Sequence, residues 1–222
     1  MQLADTQLFQ GMTGAEIDSL LGCLDARKKH YQKGETILPE GQPTQWIGLV
    51  LAGRALISSS DAWGNNSILG SAGPGSVFAE AYACCPGQPL QSSVSAAEET
   101  EVLFLNVQRV MSPCAQACGC HTKLLCSLLS LCAHKSLELS RRILHTRAKT
   151  IRGRLMSYFS ECVRSAGEYR FEVPFSRQQL ADYLGVDRSA LCNELSKMQR
   201  DGLIRYHRSH FEVPRPFWEE MS

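Results

Sequence analysis

Between Phe175 and Tyr206, apolar residues recur at helical spacing in two short runs separated by a glycine. Ser176 precedes Leu180, Ala181 and Leu184, which share one helical face, and Gly185 follows at once. A serine oxygen accepts from an orphan first-turn amide, and glycine tolerates the left-handed turn that ends a helix. Asp187 offers a second N-cap, with Leu191, Leu195 and Met198 repeating behind it. The pattern predicts two short helices joined by a three- or four-residue turn. Upstream, Ala148–Ser165 reads as a helix with Ile151, Leu155, Tyr158 and Phe159 on one side, closed by Gly167. Arg170–Pro174 reads as a short strand. Leu203–Tyr206 and His210–Val213 read as a hairpin joined across His207, Arg208 and Ser209.

The front of the chain has another texture. Residues 5–30 read as short helical pieces, with Leu8, Phe9, Ile17, Leu20, Leu21 and Leu24 as an apolar stripe. From Lys33 to Leu105, short apolar runs alternate with glycines. The runs are Thr36–Leu38, Trp46–Leu51, Ala55–Ile57, Ser67–Leu69, Val77–Phe78, Ser92–Ala96 and Val102–Leu105. Many short strands at regular spacing predict a small antiparallel barrel or jelly roll. Asn106–Met111 begins a helical turn that Pro113 interrupts. Gly119–Arg147 reads as one long helix, in which Leu124, Leu128, Leu131, Lys135 and Leu139 recur at three- and four-residue steps. Such a row zips two helices together or packs inside one domain. A helix of about 27 residues spans about 40 Å, longer than a small barrel needs, which favours a seam between two copies.

Composition sharpens this picture at a few points. The length of 222 residues suits two domains, and a hydrophobic share of 44% supplies real cores. No apolar run reaches the length of about 18 residues that a membrane span needs, and MQLADTQLFQGM has no secretory character. A cytoplasmic protein is therefore expected. Ten cysteines without an export signal point to thiols, metal ligands or redox chemistry rather than a disulfide framework. No G-x-S-x-G, P-loop or H-E-x-x-H motif is present, and only His121 stands beside candidate nucleophiles, so an enzyme is not expected.

Charge is asymmetric. Residues 1–140 carry 8 Lys/Arg against 12 Asp/Glu, and residues 141–222 carry 15 against 10. A basic back half is expected where one part meets phosphates. Arg141, Arg142, Arg147, Lys149, Arg152 and Arg154 contribute much of it, either towards DNA, at a hinge or as a solvated helix face. Two short helices around a Gly-containing turn match the helix-turn-helix, whose second helix enters the major groove. An αα-hairpin in another helical domain is the alternative. The first turn of the second helix exposes Arg188, Ser189, Cys192 and Asn193 opposite the apolar row. Arg and Asn bind guanine and adenine edges bidentately. Ser176, Arg177 and Arg208 are expected to position the DNA backbone instead.

The order of parts, with YQKGETILPEGQPTQWIGLVLAGRALI (Tyr31–Ile57), PGSVFAEAY (Pro74–Tyr82) and the helix-turn-helix, resembles the Crp/Fnr family of cyclic-nucleotide-receptor-type bacterial regulators. The resemblance covers almost the whole chain. It implies an α+β fold: an N-terminal β-roll of the cyclic-nucleotide-binding kind over 1–118, a dimerisation helix over 119–147 and a winged helix-turn-helix over 148–222. It implies a homodimeric transcriptional regulator that reads a two-fold-symmetric operator in double-stranded DNA, with RNA polymerase as a further partner.

The effector region departs from the cAMP-binding members of the family. Ala79-Glu80 stands where those carry Gly-Glu, so Glu80 can still meet a ribose hydroxyl. Leu90-Gln91 stands where they carry Arg-Ser, so no cation faces a cyclic phosphate. Glu80, Leu90 and Gln91 are the pocket candidates for an effector other than cAMP. The iron–sulfur member carries an N-terminal cysteine cluster, whereas residues 1–22 here hold no cysteine. Cys114, Cys118, Cys120 and His121 lie within eight residues, where the roll should meet the long helix. Thiolates with an imidazole suit Zn²⁺, an Fe–S cluster or haem iron. A thiol redox switch or simple packing are the other readings, and packing is expected for Cys126, Cys132 and Cys162. The alternative function is a ligand-, haem- or metal-sensing module without direct DNA readout.

Overall fold

Thr13 opens the first α-helix, α1 (Gly14–Cys23), with a capping box: its hydroxyl accepts from the Glu16 amide and the Glu16 carboxylate accepts from the Thr13 amide. Two 3₁₀ turns, Leu3–Asp5 and Gln7–Phe9, precede it. The computed structural model describes residues 2–60, 66–112 and 119–214. The chain forms two units, Met1–His134 and Lys135–Ser222. The long helix expected over 119–147 as a separate connector thus gives its first part to one unit and its last part to the other.

Among the described residues of the first unit, eight strands make two antiparallel sheets. They are β1 (Arg27–Tyr31), β2 (Thr36–Leu38), β3 (Trp46–Ala52), β4 (Ala55–Ser60), β5 (Asn66–Ala72), β6 (Val77–Phe78), β7 (Ser93–Ala96) and β8 (Thr100–Asn106). One sheet has the order β1-β8-β3-β6 and the other β2-β7-β4-β5. Every predicted strand is found. The roll has one more, β1, within the stretch read as helical. Arg27, Lys28, Lys29 and His30 are all exposed, so no apolar period marks this strand. Its register with β8, from Arg27 opposite Phe104 to Tyr31 opposite Thr100, decides its conformation.

Val50, Phe78, Val94, Val102 and Phe104 fill the space between the sheets, and the Phe78 and Phe104 rings meet edge-on at 6.4 Å. Gly48 is required by this packing, because a Cβ there would run into the Phe78 ring. A second cluster joins the outer face of the first sheet to helices. It includes Leu8, Phe9, Ile17 and Leu20, Val107 of α3 (Val107–Met111), and Leu124, Leu128 and Leu131 of α4 (Gly119–Thr146).

The last three residues were expected in a seam between copies. Leu124, Leu128 and Leu131 are instead buried against their own roll. Of the exposed apolar residues of α4, Leu125, Leu129, Leu139 and Ile143, at 44%, 70%, 61% and 67% exposure, form another row, flanked by exposed Leu137 and Leu144. With Cys132 and Ser136 they step by four and three residues alternately, the a/d spacing of paired helices. Both rows are apolar and lie about 100° apart on the helix. The roll takes one and leaves the other.

In the second unit, α5 (Ile151–Ala166) starts at Thr150, whose side chain accepts from the Gly153 amide, and ends at Gly167 in the left-handed region. Helices α6 (Arg177–Leu184) and α7 (Arg188–Arg200) follow. A three-stranded sheet, β10-β11-β9, closes the unit with β9 (Arg170–Glu172), β10 (Arg205–His207) and β11 (His210–Glu212). Phe159, Leu180, Leu184, Leu191, Leu195, Met198 and Phe211 form its core. Among the described residues, no helix is long and apolar enough to cross a membrane.

Candidate nucleic-acid interface

Local chemistry sets the two helices at their turn. Ser176 and Gln179 form a capping box at the start of α6, with Gln179 N–H to Ser176 Oγ at 3.3 Å and Ser176 N–H to Gln179 Oε1 at 2.9 Å. Gly185 ends α6 at φ +64°, and the Val186 amide reaches back to the Ala181 carbonyl at 3.0 Å. Asp187 caps α7, accepting from the Ala190 amide at 2.9 Å. Leu191, Leu195 and Met198 are fully buried beneath. The opposite face of the first turns therefore points outward: Arg188, Ser189 and Asn193 are exposed and Cys192 is half-buried. These four are brought together as the sequence predicts.

The predicted backbone-positioning residues have more specific surroundings. The Ser176 oxygen serves the capping box. Arg177 is half-buried, donates to the Arg208 carbonyl at 2.7 Å and stacks its guanidinium 5.2 Å from the Tyr206 ring and 5.1 Å from the Phe211 ring. It braces the β10–β11 turn, where Arg208 is exposed and adopts φ 55°. Arg208 is thus presented by Arg177.

The basic run 141–154 is largely engaged within the unit. Arg141 pairs with Glu161 at 3.2 Å, and Arg152 pairs with Glu194 at 2.6 Å and Asp201 at 2.8 Å. Arg142 donates to the carbonyls of Asp182 and Tyr183 at 2.7 and 2.9 Å. Arg154 donates to those of Leu184 and Gly185 at 2.8 and 3.0 Å. Two guanidiniums from α4 and α5 thereby satisfy the last carbonyls of α6, groups a helix cannot satisfy itself. Exposed cations are supplied instead by Arg188, Lys197 and Arg200 of α7 and by Arg205 and Arg208 of the hairpin.

A buried polar group at the end of α4 escaped the sequence reading. His145 is 3% exposed, with Nδ1 2.9 Å from the Tyr183 hydroxyl and Nε2 3.1 Å from the Glu161 carboxylate. Tyr158 packs edge-on against its ring at 5.5 Å. Burial pushes the Tyr158 and Tyr183 hydroxyls and the Cys162 thiol above their usual ranges. A single histidine in a polar helix carries no sequence signal for this.

The effector candidates do not converge. Glu80 is buried at the start of α2 (Glu80–Cys84), after Ala79 in the left-handed region. Gln91 is exposed, its amide 3.4 Å from the Tyr82 hydroxyl. Leu90 is buried and lines a cavity of about 400 Å³ with Leu38, Gln42, Trp46, Ala83 and Gln108. Among the described residues, neither Glu80 nor Gln91 lines that cavity, and no charged side chain does. Of the cysteine segment, Cys114 and Cys118 lie outside the described residues. Cys120 and His121 are half-buried in the first turn of α4. Among the described residues, no group of three or more His, Cys, Asp or Glu side chains is placed to hold a metal.

Residues 28–116 match the cyclic nucleotide-binding domain family, and residues 153–216 match the Crp-like helix-turn-helix domain family. No curated protein sequence gives a significant match. Among solved structures, the catabolite activator protein of Thermus thermophilus is similar at 21% identity, over 97% of each chain, with a TM-score of 0.50. The c-di-GMP-responsive global regulator CLP of Xanthomonas campestris is similar at 16% identity, over 90% of this chain and 99% of that one, with a TM-score of 0.58. At these identities the likeness concerns the fold.

Proposed function

Because the chain belongs to the Crp/Fnr family of bacterial transcriptional regulators, we propose that it works as a homodimer whose α7 helices read a two-fold-symmetric operator under the control of its N-terminal unit. It is a DNA-binding transcription regulator with a sensory N-terminal domain. The observation that carries the readout is the first turn of α7: Arg188, Ser189 and Asn193 exposed over a fully buried apolar row. Arg188 supplies paired donors for a guanine edge and Asn193 a donor and acceptor for adenine. Arg208, held by Arg177, takes backbone phosphate.

The exposed apolar residues Leu125, Leu129, Leu139 and Ile143, in one row with exposed Ser136 and half-buried Cys132, support the dimer. Two-fold pairing of α4 would cover an apolar stripe that the monomer leaves in water. Two recognition helices then meet half-sites about one duplex turn apart. Membership of this family supports RNA polymerase as the further partner and a cytoplasmic setting. The effector is one other than cAMP: Leu90 is buried and apolar where a cyclic phosphate needs a cation.

The test is operator selection from random duplexes with the full-length protein, followed by affinity measurements for Arg188→Ala. The expected result is a palindromic site and a loss of about 1–3 kcal/mol on that site for the variant, with little change on random DNA. Equal losses on both reject the base-reading role. Selection without any enrichment favours a sensing module that leaves DNA alone.

A further inference from the structure

Ser189 stands on the exposed first turn of α7 with its hydroxyl proton already committed. Its Oγ donates to Asp187 Oδ1 at 2.5 Å, and the same carboxylate oxygen accepts the Ala190 amide at 2.9 Å. The Ser189 hydroxyl and, next, the Ala190 amide hold the Asp187 carboxyl below its usual range. The group is therefore charged at neutral pH, and the helix dipole favours an anion at that end. A serine hydroxyl has one proton and two acceptor lone pairs. With the proton turned to Asp187, only lone pairs face outward.

Resting on the role of α7 as the recognition helix, we propose that Ser189 reads the operator as a hydrogen-bond acceptor only, its polarity set by Asp187, and so selects cytosine or adenine over guanine or thymine at the base it faces. In the major groove the amino groups of cytosine N4 and adenine N6 are the donors, whereas guanine O6 and N7 and thymine O4 are acceptors. A serine left to rotate serves either kind. Here a guanine or thymine edge meets lone pairs, or must first break a bond to an ionised carboxylate, which is about twice as strong as a neutral one. Asp187 acts as a positioning residue and touches no base. Arg188 beside it has the opposite character, with donors and no acceptor. The first turn thus offers a donor and an acceptor from consecutive residues, each of one fixed polarity.

The experiment uses the full-length protein and its selected operator, with each base pair of a half-site replaced in turn by the other three. Affinities are measured for wild type, Ser189→Ala, Asp187→Gly and Arg188→Ala. Wild type should favour C or A at one pair by about five- to tenfold, the worth of a single hydrogen bond. Ser189→Ala should flatten the preference at that pair alone. Asp187→Gly should flatten the same pair and spare the pair lost in Arg188→Ala. Glycine is a serviceable N-cap, so the helix survives this change, which circular dichroism verifies. A wild-type preference for G or T at the pair, a preference untouched by Asp187→Gly, or no pair that depends on residue 189 overturns the proposal. Absence of preference at every pair overturns the base-reading role of α7 along with it. That result differs from one in which the Arg188-dependent pair stands and residue 189 is ignored.

Discussion

Truncating two neighbouring leucines of α4 should have opposite consequences. Leu128 is 3% exposed within the core of its own unit, and Leu129 is 70% exposed in the row proposed to meet a second copy. Leu128→Ala leaves a cavity in packed surroundings and should cost about 2–5 kcal/mol of unfolding stability at any protein concentration. Leu129→Ala removes side-chain carbon that water already touches, so it should barely affect the isolated chain. In a dimer the same carbon is buried. At ~0.8 kcal/mol per buried carbon, scaled by its present exposure, the loss is about 1.7 kcal/mol per protomer. Symmetry doubles this to about 3.4 kcal/mol, which weakens the dimer dissociation constant by roughly two to three orders of magnitude. Sedimentation equilibrium over a concentration series reads the second quantity, and urea unfolding at two concentrations separates it from the first. A Leu129→Ala dimer constant unchanged from wild type would refute the seam. So would a wild-type protein that stays monomeric at micromolar concentration yet binds its operator fully.

Three further outcomes follow from particular contacts. Lys123, by its 2.7 Å bond to Glu16, and next the Thr13 amide hold the Glu16 carboxyl down to about 2 from an ordinary 4.5. The stability this contributes is complete above pH 4.5 and is lost as pH falls towards 2, so the unfolding midpoint of Glu16→Gln should be less sensitive to acid over that window. Arg154→Ala strips the Leu184 and Gly185 carbonyls of their partner and should cost about 1–2 kcal/mol in urea unfolding, lowering affinity for specific and random DNA alike. An unchanged midpoint would show that water replaces the guanidinium without loss. Gly48→Ala forces a methyl into the Phe78 ring and should cost about 1–3 kcal/mol in thermal unfolding.

The helix-turn-helix was legible because its determinants are local. Ser176, Gly185 and Asp187 act within a few residues of themselves, and the apolar rows behind them follow the helical period. The strands of the roll were legible for the same reason, with the exception of β1. Arg27–His30 has no apolar alternation, and only the hydrogen bonds of β8 make it extended. Even the Ser189–Asp187 bond lies two residues apart and was within reach of a local reading.

What tertiary structure alone decided is which of several equivalent local choices is used. Helix α4 carries two apolar rows of equal periodicity, and contact with the roll sends Leu124, Leu128 and Leu131 inward and leaves Leu125, Leu129 and Leu139 in water. Arg142 and Arg154 look like any cations of a basic run until the carbonyls of α6, some thirty to forty residues away, come within bonding distance. His145 is joined to Glu161 and Tyr183 in the same way. A sequence states what each residue can donate, accept or bury. Partners distant in the chain are chosen by packing, and burial of apolar surface selects one arrangement among those that local chemistry permits equally.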